Sequence, residues 1–103
     1  MDGRTLILTK DPKGKKRFMV VLPAYLNFKP KTIRFGGPKK PAYIDDGNEL
    51  RKEIFLKNRT ATHLDIRTPT FWQRWVMYNF NDIERNIKYI EEAFNIKINY
   101  IPN

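Results

Sequence analysis

The chain has 103 residues, 41% of them hydrophobic and 14% aromatic, which is enough for one domain with one core and too few for two of ordinary size. It contains no cysteine, which excludes disulfide scaffolds, thiolate zinc sites and cysteine nucleophiles, and no apolar run approaches the roughly 18 residues of a membrane span. The net charge of +9 favours polyanionic partners, and its excess is one-sided: residues 1–40 carry 11 Lys+Arg against 2 Asp+Glu, whereas residues 41–103 carry 9 against 9.

The first element is a short β-branched and aliphatic run, Thr5-Leu6-Ile7-Leu8-Thr9, followed by the polar stretch from Lys10 to Lys16 and then by Phe18-Met19-Val20-Val21-Leu22. Two strands joined by a Pro-Gly turn are predicted, with the lysines of the loop projecting together at its tip. Thr32-Ile33-Arg34-Phe35 alternates as a third strand between proline-containing borders, and Tyr43-Ile44 reads as a short strand end before the turn Asp45-Asp46-Gly47.

From Asn48 the apolar period changes. Leu50, Ile54 and Phe55 fall on one face of a helix expected over residues 48–58. Thr68-Pro69 starts the next helix, because threonine caps well and proline at the first helical position gives up only an N–H that is unpaired anyway. That helix is expected to reach about Phe80. Asn81 and Glu84 resemble a capping box for a third helix, whose Ile83, Ile87, Ile90 and Phe94 form a one-sided apolar stripe. Ile96-Lys97-Ile98-Asn99-Tyr100 alternates strictly as a closing strand.

The expected architecture is a single α+β domain over residues 1–103, a small antiparallel sheet with two or three C-terminal helices packed on it. A basic β-rich part spans 1–44, a helical part 48–95 and a closing strand 96–101.

The candidate functional residues lie mainly in the basic part. Glycines let a backbone approach a phosphate closely, and lysines supply point charges without base specificity. Lys13, Lys15, Lys16, Arg17, Lys31, Arg34, Lys39 and Lys40 are the expected phosphate contacts. Gly36-Gly37-Pro38-Lys39-Lys40 lacks the spacing and the Lys-Ser/Thr end of a Walker loop.

Both tryptophans fall in TPTFWQRW, residues 68–75. Helical geometry assigns Phe71, Trp75 and Val76 to the core, while Trp72 or Tyr78 is expected at the surface. Trp72 and Arg74 therefore join the candidate nucleic-acid contacts, Arg74 either stacking on an indole or reaching an anion. His63 is the only histidine and cannot assemble a zinc site, so no metal or cofactor is expected. As a general base, with Asp65 orienting it and Arg67 and Arg74 on a phosphate, it would make a small ribonuclease. Adjacent Asp45 and Asp46 suit a turn and are assigned no chemistry.

Residues 43–90, and especially Arg51, residues 55–59, Ile66-Arg67-Thr68 and Phe71-Trp72-Gln73-Arg74-Trp75, resemble small basic proteins of unknown function encoded by large nucleocytoplasmic DNA viruses. The Phe-Trp-x-Arg-Trp core carries the likeness. The chain differs from that pattern at Thr70, where glycine is usual, and at Met77-Tyr78-Asn79, which replaces a second tryptophan-containing segment. The resemblance implies a viral origin and a place in the particle or with the packaged genome, and it implies no catalytic residues.

The leading expectation is thus a non-enzymatic viral protein that associates with nucleic acid, DNA or RNA, through phosphates. A minor capsid or other structural virion protein docking on acidic protein is the alternative, and a ribonuclease toxin using His63 is a third. The N-terminal MDGRTLILTKD lacks a signal-peptide core, so a location inside the host cell or virion is expected and the sequon at Asn58 carries no weight. The oligomeric state is not encoded in any pattern of the sequence.

Overall fold

Alternation along β1 (Thr5–Lys10) buries Leu6 and Leu8 completely and turns Thr5, Ile7 and Thr9 to the other face. The same period in β2 (Phe18–Leu22) buries Phe18, Val20 and Leu22, and in β3 (Lys31–Phe35) it buries Ile33 and Phe35. One face of the sheet is therefore a continuous apolar surface that needs a cover. The structure, a computed structural model, describes residues 5–24, 29–58 and 65–102.

Within these residues the sheet has four strands in the order β3-β2-β1-β4, the last being Lys97–Ile101. β1 pairs antiparallel with β2, and β2 antiparallel with β3. β4 pairs parallel with β1, Leu6 opposite Ile98 and Leu8 opposite Tyr100. The α+β class holds, but the sheet is mixed rather than antiparallel. The reason is topological: β3 ends at the same end of the sheet as β1, and the last helix carries the chain back to the opposite end, where β1 begins, before β4 starts.

The cover comes from helices between β3 and β4. Phe71, Trp72, Val76, Met77, Ile87 and Ile90 pack with the sheet side chains in one core cluster. Trp72 lies 6.4 Å from Phe35 between ring centroids, and Phe71 sits edge-on to both Trp72 and Phe94.

Local chemistry sets each helix boundary. Tyr43–Asp46 is a single helical turn, α1, and not a strand end: the Ala42 N–H donates to the Asp45 carboxylate at 2.6 Å, and Gly47 in a left-handed conformation ends the turn. α2 (Glu49–Asn58) buries Phe55 but leaves Leu50 65% and Ile54 53% exposed, so the apolar face read from the sequence is only partly used. Polar ties hold this helix instead: Arg51 pairs with Asp46, the Tyr43 hydroxyl donates to Glu49, and the Lys52 ammonium donates to the Asn79 carbonyl.

α3 (Pro69–Trp72) starts as expected, with the Phe71 N–H donating to the Thr68 hydroxyl, and continues as a π-helical turn over Gln73–Met77. It stops short of Phe80. The cause is Asn86, fully buried, whose side-chain amide donates to the Val76 and Phe80 carbonyls while its oxygen accepts from the Phe80 N–H. These three bonds fix an irregular reversal where a continuing helix would lie. α4 (Ile83–Phe94) is capped by Asp82 rather than Asn81, its carboxylate accepting from the N–H groups of Glu84 and Arg85. Ile87 and Ile90 of its stripe are buried, and Asn95 in a left-handed conformation turns the chain into β4.

Two substitutions should separate core from surface. Asn86→Ala removes the side-chain partner of the Val76 carbonyl and of the part-buried Phe80 N–H and carbonyl, and should lower unfolding free energy by about 3 kcal/mol. Leu50→Ala, on the exposed side of α2, should change it by less than about 0.5 kcal/mol. Urea unfolding followed by tryptophan fluorescence measures both, and equal effects would contradict this division.

Candidate nucleic-acid interface

β1 and β3 both run toward one end of the sheet, where the loop of residues 11–17 and the loop of residues 36–42 meet. The Arg17 N–H bridges them, donating to the Gly36 carbonyl at 2.9 Å and the Phe35 carbonyl at 3.2 Å. Gly36 has φ of +84°, and a Cβ there would lie 2.7 Å from the Met77 sulfur, so only glycine fits this junction.

The first loop is wound around a buried carboxylate. Asp11 accepts from the N–H groups of Lys16 at 2.9 Å and Lys13 at 3.1 Å, and from the Arg34 Nε at 3.2 Å. Its side chain is fully shielded from solvent. The Lys16 N–H, opposed by desolvation and assisted by the Lys13 N–H and Arg34, holds this carboxyl below the ordinary carboxylate range. Folding the loop inward this way leaves the side chains of Lys13, Lys15 and Lys16 exposed, and Lys39 and Lys40 are exposed on the neighbouring loop. Among the described residues, none of these five ammonium groups is in an ion pair.

The arginines behave differently. Arg17 is half-buried and makes a two-pronged pair with Asp45, one arm at 2.7 Å. That hydrogen bond holds the Asp45 carboxyl below its usual range and raises the guanidinium. Arg34 is committed to Asp11. Lys31 sits at the opposite end of the sheet, opposite Leu22, with its ammonium donating to the Arg67 carbonyl at 3.1 Å. The expected basic set therefore divides: five lysines share one end, two arginines are spent on holding it together, and Lys31 is elsewhere.

The aromatic expectation needs correction. Trp72 is fully buried, and its indole N–H donates to the Ile66 carbonyl at 2.8 Å, so it cannot meet a base. Trp75, expected in the core, packs against it in a half-buried position, stacked on Tyr89 and 5.7 Å from Phe94 between ring centroids. Arg74 does lie over an indole, with its guanidinium carbon 4.2 Å from the Trp75 ring centroid, and donates to the Tyr78 carbonyl. Burial lowers its pKa, the cost of shielding a cation. His63 and Arg59 lie outside the described residues. Asp45 and Asp46 each serve an arginine, Asp46 pairing with Arg51.

Sequence reasoning missed Lys10 and Tyr100, which line a cleft with Lys16 and Arg17. Tyr100 reaches that end only through the parallel pairing of β4. Among the described residues no three acidic or histidine side chains form a group able to hold a metal ion, and no helix is long and apolar enough to cross a membrane.

Asp11 and Asp45 bind protons more weakly in the folded chain than in the unfolded one. Their stabilisation is complete above the unfolded-state value of about 4 and is lost as pH falls through the lower folded-state values. Asp11→Asn should flatten part of this acid limb while keeping the neutral-pH fold. Thermal melts from about pH 6 down to 2 measure it, and an unchanged acid limb would remove Asp11 from this role.

No curated protein and no solved structure matches the chain. One family model does, over residues 6–59, which takes in the two basic loops, β1 to β3, α1 and α2 and leaves the Phe-Trp-x-Arg-Trp stretch outside. With just over half its length matched, including both loops of the basic end, the chain belongs to the family of unknown function DUF5754.

Proposed function

We propose that this protein is a non-enzymatic nucleic-acid-associated protein that holds the phosphate backbone with the lysines at one end of its sheet. One observation carries the reading: Lys13, Lys15, Lys16, Lys39 and Lys40 converge on two adjoining loops, exposed, with no ion pair among the described residues. Clustering five like charges costs electrostatic free energy in the isolated protein, and a polyanion relieves that cost. Lysines are suited to this because a compact, strongly hydrated charge grips phosphate without choosing a base. The buried Asp11 and the Arg17–Asp45 pair fix the loops that carry them.

The likeness of residues 71–75 to proteins of large DNA viruses gives the reading its setting. The polyanion is then a viral genome or transcript, inside the infected cell or the particle. Docking on an acidic virion protein would use the same charges and is distinguished by experiment.

About five phosphate contacts predict that log K falls against log salt with a slope of about −4.5 on duplex DNA, roughly a five-hundredfold loss between about 50 and 200 mM. Replacing Lys39 and Lys40 together by alanine should reduce the slope by about 2. Fluorescence anisotropy with random duplex and random single strand measures this. A salt-insensitive complex, or no binding at the lower salt, sinks the reading, and capture of acidic virion protein under the same conditions would replace it.

A further inference from the structure

The two loops leave a pair of clefts across the end of the sheet. One, of about 540 Å³, is walled by Lys10, Phe18, Ile83 and Tyr100, between the β1–β2 loop, the start of α4 and the end of β4. The other, of about 500 Å³, is walled by Lys39, Lys40, Phe55 and Tyr78, between the second loop and the helices. Lys16 and Pro38 line both. The clefts are thus neighbours across a shared wall that carries a cation.

Each cleft has one half-buried tyrosine, Tyr100 in the first and Tyr78 in the second. Phe55 backs the Tyr78 ring at 4.1 Å between centroids, which stiffens it. Two carboxylates also line the first cleft, but Asp45 is neutralised by Arg17 and Asp11 by two N–H groups and Arg34. Neither presents an uncompensated charge to an anion. Each volume falls within the roughly 300–1,000 Å³ of small-ligand pockets.

We propose that these paired clefts are a groove for single-stranded nucleic acid, in which two successive bases lie against Tyr100 and Tyr78 and the phosphate between them rests on Lys16. The inference depends on the phosphate-binding reading and narrows it. In a duplex the bases are already stacked and paired, so only backbone reaches the lysines. A single strand can splay its bases, and a ring beside a cationic rim accepts any of them because every base has a π-face.

The test is anisotropy binding of a labelled oligothymidine of roughly 12 nucleotides and a random duplex of the same length. The proteins are the wild type, Tyr78→Leu, Tyr100→Leu and the matching phenylalanine variants. Each leucine variant should weaken single-strand binding by about 5- to 150-fold, the range of one lost base stack, and leave duplex binding within about twofold. The phenylalanine variants should stay within about threefold of wild type, because the ring is kept.

Leucine variants that retain wild-type single-strand affinity, or a wild-type protein that prefers duplex, overturn the groove yet leave the phosphate reading standing. Absence of salt-dependent binding to either strand overturns both. Should a leucine variant fail to fold by circular dichroism, photocross-linking of a bromodeoxyuridine strand to the wild-type protein decides: adducts at Tyr78 or Tyr100 support the groove, and adducts elsewhere or none refute it.

Discussion

The parallel pairing of β4 with β1 is the constraint on which the rest of the structure depends. It joins residues 97–101 to residues 5–9, nearly the full length of the chain, and closing so long a loop costs about 4 kcal/mol of chain entropy before any contact repays it. Repayment comes from what the pairing brings along. Leu6 and Leu8 become interior positions of a central strand, with no exposure, and α4 is drawn across the sheet to bury Ile87 and Ile90. The outer edge of β4 is blunted at the same time, because the Ile98 N–H donates to the Glu91 carboxylate at 2.9 Å.

That pairing also explains what the sequence could and could not tell. Strands β1 to β4 and helix α4 were legible because each carries its period in a few consecutive residues, alternation of two or a stripe of four and seven. Nothing local encodes that β4 lies beside β1 and parallel to it. Where a distant partner decides, the local reading failed: Tyr43-Ile44 looked like a strand end, but Asp45 is held by Arg17 and by the Ala42 N–H, which winds the segment into a turn of helix. The helix begun at Pro69 was extended too far because Asn86, ten residues beyond Val76, seizes the groups that would have continued it.

The candidate site was legible to the degree that charge is. A net excess confined to residues 1–40 identified the basic loops, and β-strand order then gathers them at one end. The aromatic half was misread because a helical wheel assumes a regular helix. Phe71 and Val76 are buried as expected, but Trp72 is the fully interior ring, and Trp75, inside the π-helical turn, is half-buried against the core. Tyr78 and Tyr100 had no charge pattern around them to mark them, and both reach the basic end only through tertiary structure.

Lysine and arginine divide the work in a way that follows from their shapes. A guanidinium is planar and offers its donors as a fork, which suits a fixed partner inside the protein: Arg17 grips Asp45, Arg34 reaches Asp11, Arg51 grips Asp46, and Arg74 and Arg85 lie over aromatic rings. An ammonium on a long flexible stem gains little from such fixed pairing and keeps its hydration by staying out. The arginines therefore build the scaffold and consume the nearby carboxylates, which is why the lysines of the two loops face solvent with no acidic neighbour to neutralise them among the described residues. A surface made in this way is strong in charge and poor in directional donors, and it favours contacts that read the presence of a phosphate rather than the identity of a base.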